Sequence, residues 1–320
     1  MSAGTASRWA SVSCRVLGLL AGTLLLAACG TPRDFTVYQE TIAEFQTATD
    51  RTASVALEYV HGINEFEREY ELKLLREDPA RPLDITRLDS PILSNEALAA
   101  RDRAFAVLKQ YTQMLASLAD SDASERWKAA SERAKTAADL LVEDLSQNST
   151  TLAELPLSEA LSPLKAISDV IATEVINAKR AAALDAAVEK AAPAIQEISA
   201  HLREDLAFVI RQRDSVKLLE IAQLTINYGQ AQADANNSQR LRTLTEIDAA
   251  LKTRSSDLAT MQGLLQTLDR FDAAHDALVR YAASDKGPQD LADLVAVVQS
   301  YTATAEQIFE SFKKVKEGIS

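Results

Sequence analysis

The chain has 320 residues, with 34 basic and 46 acidic side chains and a net charge of −12. A surface of that sign disfavours nucleic acid and is repelled by anionic headgroups. Its nine glycines never cluster, which excludes dinucleotide fingerprints and phosphate loops, and no stretch alternates apolar with polar residues as a half-buried strand would.

In chain order, the first segment carries Arg8 and Arg15 and no acid, and Val16 to Ala28 is apolar apart from Gly18, Gly22 and Thr23. A basic start followed by a short apolar run reads as a secretory signal, too short to span a bilayer. It closes on Leu26-Ala27-Ala28-Cys29. This quartet resembles the lipobox of a bacterial lipoprotein signal peptide; the resemblance covers residues 1–30 and no family is recognised for the rest. It implies that residues 1–28 are removed and that Cys29 receives the lipid. Gly30 stands where an aspartate marks inner-membrane retention in Gram-negative lipoproteins, so the resemblance implies an outer-membrane anchor facing the periplasm. The other cysteine, Cys14, lies inside the signal, so the mature chain has no thiol left for a disulfide. It keeps 32 basic against 46 acidic residues, a net −14. Residues 29–34 form a short tether.

A single helical domain is expected over 35–320. The first helix is predicted over 35–77, with Tyr38, Phe45, Thr52, Tyr59 and Phe66 seven apart and Ile42, Thr49, Ala56, Ile63 and Tyr70 as the partner row. Pro79, Pro82 and Pro91 end it and open the longest loop, expected at the end far from the tether. Ser94 or Asn95 caps a second helix that turns Leu98, Phe105, Leu108, Leu115 and Leu118 inward. A phase break at 121–125, with Asp122 and Glu125 as a capping pair, leads to a third helix facing inward through Trp127, Ala130, Ala134, Ala137, Leu141 and Leu145. After a polar turn at 146–151, Pro156 and Pro163 open a fourth helix reaching Ala191, and Pro193 is read as starting the next. Ile195, Leu202, Val209 and Val216 lie seven apart, as do Leu244, Leu251, Leu258 and Leu265. These series read as a hairpin turning near Asn236-Asn237-Ser238 with Ser238 as cap, or as one long rod; the turn chemistry favours the hairpin. The last helix, after a break at 284–288, carries Leu291, Leu294, Val298, Tyr301, Ala305, Ile308, Phe312 and Val315 in one series.

The fold class is therefore all-α: an elongated antiparallel bundle of about six or seven long helices with coiled-coil-like packing. Chemistry is sparse. Glu58-x-x-His61 has the spacing of half a di-iron site, but the sequence contains no second Glu-x-x-His. Asp272 and His275 share an inward face and suggest a buried polar pair. Glu65, Glu67, Glu69 and Glu71 read as solvated, and no nucleophile elbow is present. No catalytic, cofactor or metal site is expected. The reading is a non-enzymatic, lipid-anchored scaffold, adaptor or partner-binding protein of the cell envelope, held at the membrane by its N-terminal lipid and engaging another envelope protein, not nucleic acid. The alternative is a bundle that senses or binds a small molecule through the aromatic row of the first helix.

Overall fold

A computed structural model describes residues 32–77, 80–119, 123–147 and 180–319. Among these the chain forms seven α-helices and no strand: α1 (Pro32–Glu77), α2 (Ile85–Leu88), α3 (Asn95–Ala119), α4 (Ala123–Gln147), α5 (Arg180–Ala233), α6 (Asn237–Ala283) and α7 (Pro288–Ile319). The all-α, elongated antiparallel bundle expected from the heptads is what the chain adopts.

The a and d rows of α1 form its buried face, from Tyr38 and Ile42 to Tyr59 and Ile63. Threonines on this face satisfy their hydroxyls against their own helix: Thr49 donates to the Phe45 carbonyl at 2.9 Å and Thr52 to that of Ala48 at 2.8 Å. The α1 stripe serves four neighbours. Phe45 stacks on Phe271 of α6 and meets Tyr301 of α7, while Tyr59 meets Phe312 of α7. His61 pairs with Asp102 of α3, and Lys73 with Glu220 of α5. Residue order along these contacts makes α1 antiparallel to α3 and α6, and parallel to α5 and α7. α4 packs back along α3, so the phase break at 121–125 separates two antiparallel helices. One continuous apolar core runs through all the long helices.

Two charged pairs are built into this core. Arg101 is almost wholly buried, bonds Asp205 of α5 through both arms of its guanidinium and donates a third bond to the Ala97 carbonyl at 2.7 Å. Arg213 of α5 bonds Asp257 of α6 and lies over the rings of Tyr59 and Phe66, 5.1 and 4.6 Å from their centroids.

Several local expectations need correcting. Pro193 does not start a helix: α5 runs unbroken from Arg180 to Ala233 with the proline inside it, exposed, while Ala191, Ala194 and Ile195 around it are buried. Packing of those small neighbours holds the chain helical despite the missing amide hydrogen. The hairpin forms, but its cap is Asn236, whose side chain accepts from the Gln239 amide at 3.1 Å. Ser238 lies within the first turn of α6. Just before the cap, Ala235 is left-handed at φ 54, the Ala235 amide bonds the Gln232 carbonyl and the Asn236 amide that of Ala231. This is the bonding of a Schellman cap, with alanine where glycine is usual.

The proline loop is not the tip of the molecule. It is tied back onto α1: Asn64 bonds both the amide and the carbonyl of Leu93, and Glu71, 5% exposed, receives Arg81 and Arg87. Glu71 is thus not the solvated acid its neighbourhood suggests; the two arginines arrive only when the loop folds over it. The level of the end of α1 is marked by Glu77 meeting Asn227 of α5 at 3.5 Å, and α5 continues to Ala233 before turning. The α5–α6 hairpin therefore outruns the helices around it. The expected helix from Pro156, and the Asp122 cap, lie outside the described residues.

Two outcomes follow. Asp205→Ala leaves Arg101 charged and buried, and should cost about 3–5 kcal/mol in chemical denaturation, whereas the paired change Arg101→Met with Asp205→Leu should cost much less. Ala235→Gly relieves a left-handed alanine and should raise stability by about 0.5–1 kcal/mol, measured the same way.

Candidate interaction surface

The residues singled out for chemistry fall in two places, neither of them a catalytic cluster. His61 is exposed on the flank of α1, with Nε2 2.6 Å from Asp102 Oδ1 on α3, and Glu58 is exposed as well. Asp272 and His275 share a helix face but do not pair. Asp272 takes Arg203 of α5. His275, 1% exposed, is bonded through Nε2 to the Tyr111 hydroxyl of α3 at 2.9 Å and lies parallel to the Phe271 ring. Its Nδ1 has no hydrogen-bond partner among the described residues. Burial pulls the imidazole down to about 4, with a smaller opposing pull from Asp276. The partners sit on other helices, so spacing along α6 could not reveal them.

The aromatic row of α1 is filled from Tyr38 to Tyr59. Tyr38 meets Tyr281 at 4.7 Å between centroids, and Phe45 sits between Phe271 and Tyr301. Burial raises the ionisation of Tyr38 and Tyr301 well above that of a free phenol. Tyr301 also reaches Thr52 at 3.1 Å and Thr49 at 3.3 Å, closing the α1–α7 seam with a small polar layer. The larger hollows are surface grooves. One of about 500 Å³ runs between α6 and α7 over Gly263, where a Cβ would come within 2.8 Å of Ile308. Another of about 320 Å³ lies between α1 and α5 around Phe66, Tyr70 and Lys73. Among the described residues no group of three or more histidines, cysteines or acids could hold a metal ion, and no helix is long and apolar enough to cross a membrane.

The unusual surface is the outer half of the α5–α6 hairpin. The charges of α5 between Arg213 and Glu220 point towards neighbouring helices and are paired: Arg213 with Asp257, Asp214 with Arg254 at 2.6 Å, and Lys217 and Lys73 with Glu220. Val216 and Leu224 are buried among them, but six other large apolar side chains point outward. Leu218, Leu219 and Ile226 on α5 are 47, 56 and 54% exposed, and Leu241, Leu244 and Leu251 on α6 are 54, 44 and 47% exposed. This corrects the reading of the α6 heptad. Of Leu244, Leu251, Leu258 and Leu265, only the last two pack on the core, because α7 flanks only that half of α6. In the outer half the buried row is Thr243 and Ala250 instead. The exposed row was legible as apolar in the sequence; that nothing would cover it was not.

No family model, no curated protein and no solved structure matches the chain.

The buried imidazole sets a pH dependence. Unfolded, His275 binds a proton near its ordinary value of 6.5; folded, it does so only near 4. The unfolded chain therefore holds more protons between these values, and the contribution of His275, full above pH 6.5, is lost as pH falls towards 4. The shift corresponds to on the order of 3 kcal/mol across that window. His275→Gln, which cannot titrate, should lose stability less steeply than the native chain between pH 6.5 and 4, as read by denaturant midpoints at each pH.

Proposed function

We propose that this chain is a lipid-anchored, periplasm-facing adaptor of the bacterial cell envelope, non-enzymatic, which presents the α5–α6 hairpin to a protein partner. The observation that carries the reading is the set of exposed large apolar side chains on that hairpin. Six large apolar side chains about half exposed on one projecting element form more than the scattered leucines of an ordinary surface. Such patches mark interaction sites.

The anchor and the hairpin fit one geometry. Cys29, in the lipobox, precedes the start of α1 at Pro32 by three residues, so a lipid there holds that end of the rod near the headgroups. Tyr38 is level with Asp185 of α5, to which it bonds at 3.4 Å. From that level α5 runs 48 residues to Ala233, or about 70 Å. A lipid at Cys29 thus leaves the apolar hairpin at the far end of the rod. The outer membrane follows from Gly30 after the lipobox cysteine.

The test separates anchor from contact. Cys29→Ser should abolish labelling by palmitate and release the protein from the membrane fraction; unchanged labelling would refute the anchor. Leu244→Glu with Leu251→Glu should leave the denaturation midpoint within about 0.5 kcal/mol of the native value, since both side chains are exposed. The same pair should abolish crosslinks formed in intact cells from a photoreactive residue at Ile226. Crosslinks that persist would show that Leu244 and Leu251 are not the contact.

A further inference from the structure

We infer that the partner seated on the hairpin is a second copy of this chain, paired antiparallel through α6 about a two-fold axis at Leu244. This rests on the reading of the hairpin as the contact surface.

Charge is the first argument. Copies of a chain with net charge −12 repel one another everywhere but where that charge is absent. Residues 211–257 carry seven basic and six acidic side chains, and between Ile221 and Gln239 the only charge is Asp234. The hairpin is thus the near-neutral end of an acidic rod. Antiparallel overlap joins the two neutral ends and carries the acidic bodies to opposite extremities.

Charge order on α6 then selects the register. At 100° per residue, Arg240 and Asp248 lie one turn before and one turn after Leu244, about 40° to either side of it. A two-fold axis at Leu244, perpendicular to α6, brings Arg240 of each copy level with Asp248 of the other, giving two opposite-charge pairs around an apolar centre. Parallel pairing on the same row would bring Arg240 to Arg240 and Asp248 to Asp248. Both groups are available. Asp248 holds only an exposed pair with Lys252, and Arg240 bonds Asn237 of its own helix.

The apolar area is of the right order for a weak pair. The Asp214–Arg254 bond puts Leu218, one turn on from Asp214, level with Leu251, one turn before Arg254. The patch therefore continues from α6 onto α5. Leu218, Leu241, Leu244 and Leu251 are each about half exposed. With the polar side chains around them, two copies bury on the order of 1,000 Å², the low end of specific interfaces. The dimer is reversible and concentration-dependent, and its N-terminal ends point in opposite directions. Anchored copies so paired lie along the membrane that holds them.

The test uses the full chain with Leu244→Cys, expressed in cells and oxidised mildly in isolated envelopes. The chain without that substitution reports any contribution from Cys29. Two Leu244→Cys side chains meet on the two-fold axis, so the expected product is a disulfide dimer at twice the mass of the mature chain on a non-reducing gel. In that background, Arg240→Glu or Asp248→Lys alone should lower the crosslinked fraction about tenfold, and the two together should restore it to within about twofold. All these side chains are at least partly exposed, and unchanged helical circular dichroism checks that each variant folds. Absence of the dimer overturns the inference, as does a dimer indifferent to both single reversals. A Leu244→Cys disulfide to a different protein also overturns it but leaves the hairpin as a contact surface. No disulfide together with no photocrosslink from Ile226 removes both readings.

Discussion

Packing of one unbroken apolar stripe on α1 is the constraint on which the rest of the bundle depends. α1 is the helix that touches α3, α5, α6 and α7, so its a and d rows set the level of every partner. The ring of Phe45 shows how. It faces Phe271 and Tyr301 together and thereby locks α6 and α7 to the same turn of α1. Alanines and threonines between the aromatics let the helices approach, and the threonines do so without leaving hydroxyls orphaned, because each bonds back to its own helix. Heptad packing of this kind specifies alignment by shape as well as by burial, since each large side chain enters a hole on the facing helix.

Specificity of alignment is reinforced by charge inside the bundle. Arg101 with Asp205, Arg203 with Asp272 and Arg213 with Asp257 each tie α5 to a different neighbour or level. A buried pair adds little net stability over an apolar equivalent but penalises any slip that separates it. Lys286 performs the same task at the near end. Its ammonium meets Asp185, bonds the Ala282 carbonyl at the end of α6 and lies over the Tyr281 ring. Several basic residues of this acidic chain are thus committed to holding helices in register.

The exposed apolar surface arises from a mismatch of length. α5 and α6 run on beyond the end of α7, and where its cover stops the hairpin is flanked by α1. Its charges pair inward across α1, α5 and α6, and six of its large apolar side chains are left outside. The same leucine row therefore serves two purposes, closing the core where α7 lies beside it and presenting an apolar edge where α7 has ended. Among the described residues no group of three or more histidines, cysteines or acids that could hold a metal competes with this surface. The imidazole with the most altered basicity, His275, is buried among aromatic rings.

The sequence alone determined the helical class, the C-terminal end of α1, the core faces of α1, α3, α4 and α7, and the presence of a hairpin near Asn236. Each of these is a local property: heptad period, proline position or capping chemistry acts within a few residues. It also carries a quartet that resembles a lipobox, a linear signal. Tertiary structure decided everything that depends on which helix lies beside which. Glu71 became buried because a loop ten residues on folds over it, Asp272 and His275 parted because Arg203 and Tyr111 stand on other helices, and Pro193 stayed helical because its neighbours are packed. Above all, heptad spacing marks a row as apolar but is silent on whether a partner helix reaches it. Leu244 and Leu265 are equivalent in the repeat, and the length of α7 separates them.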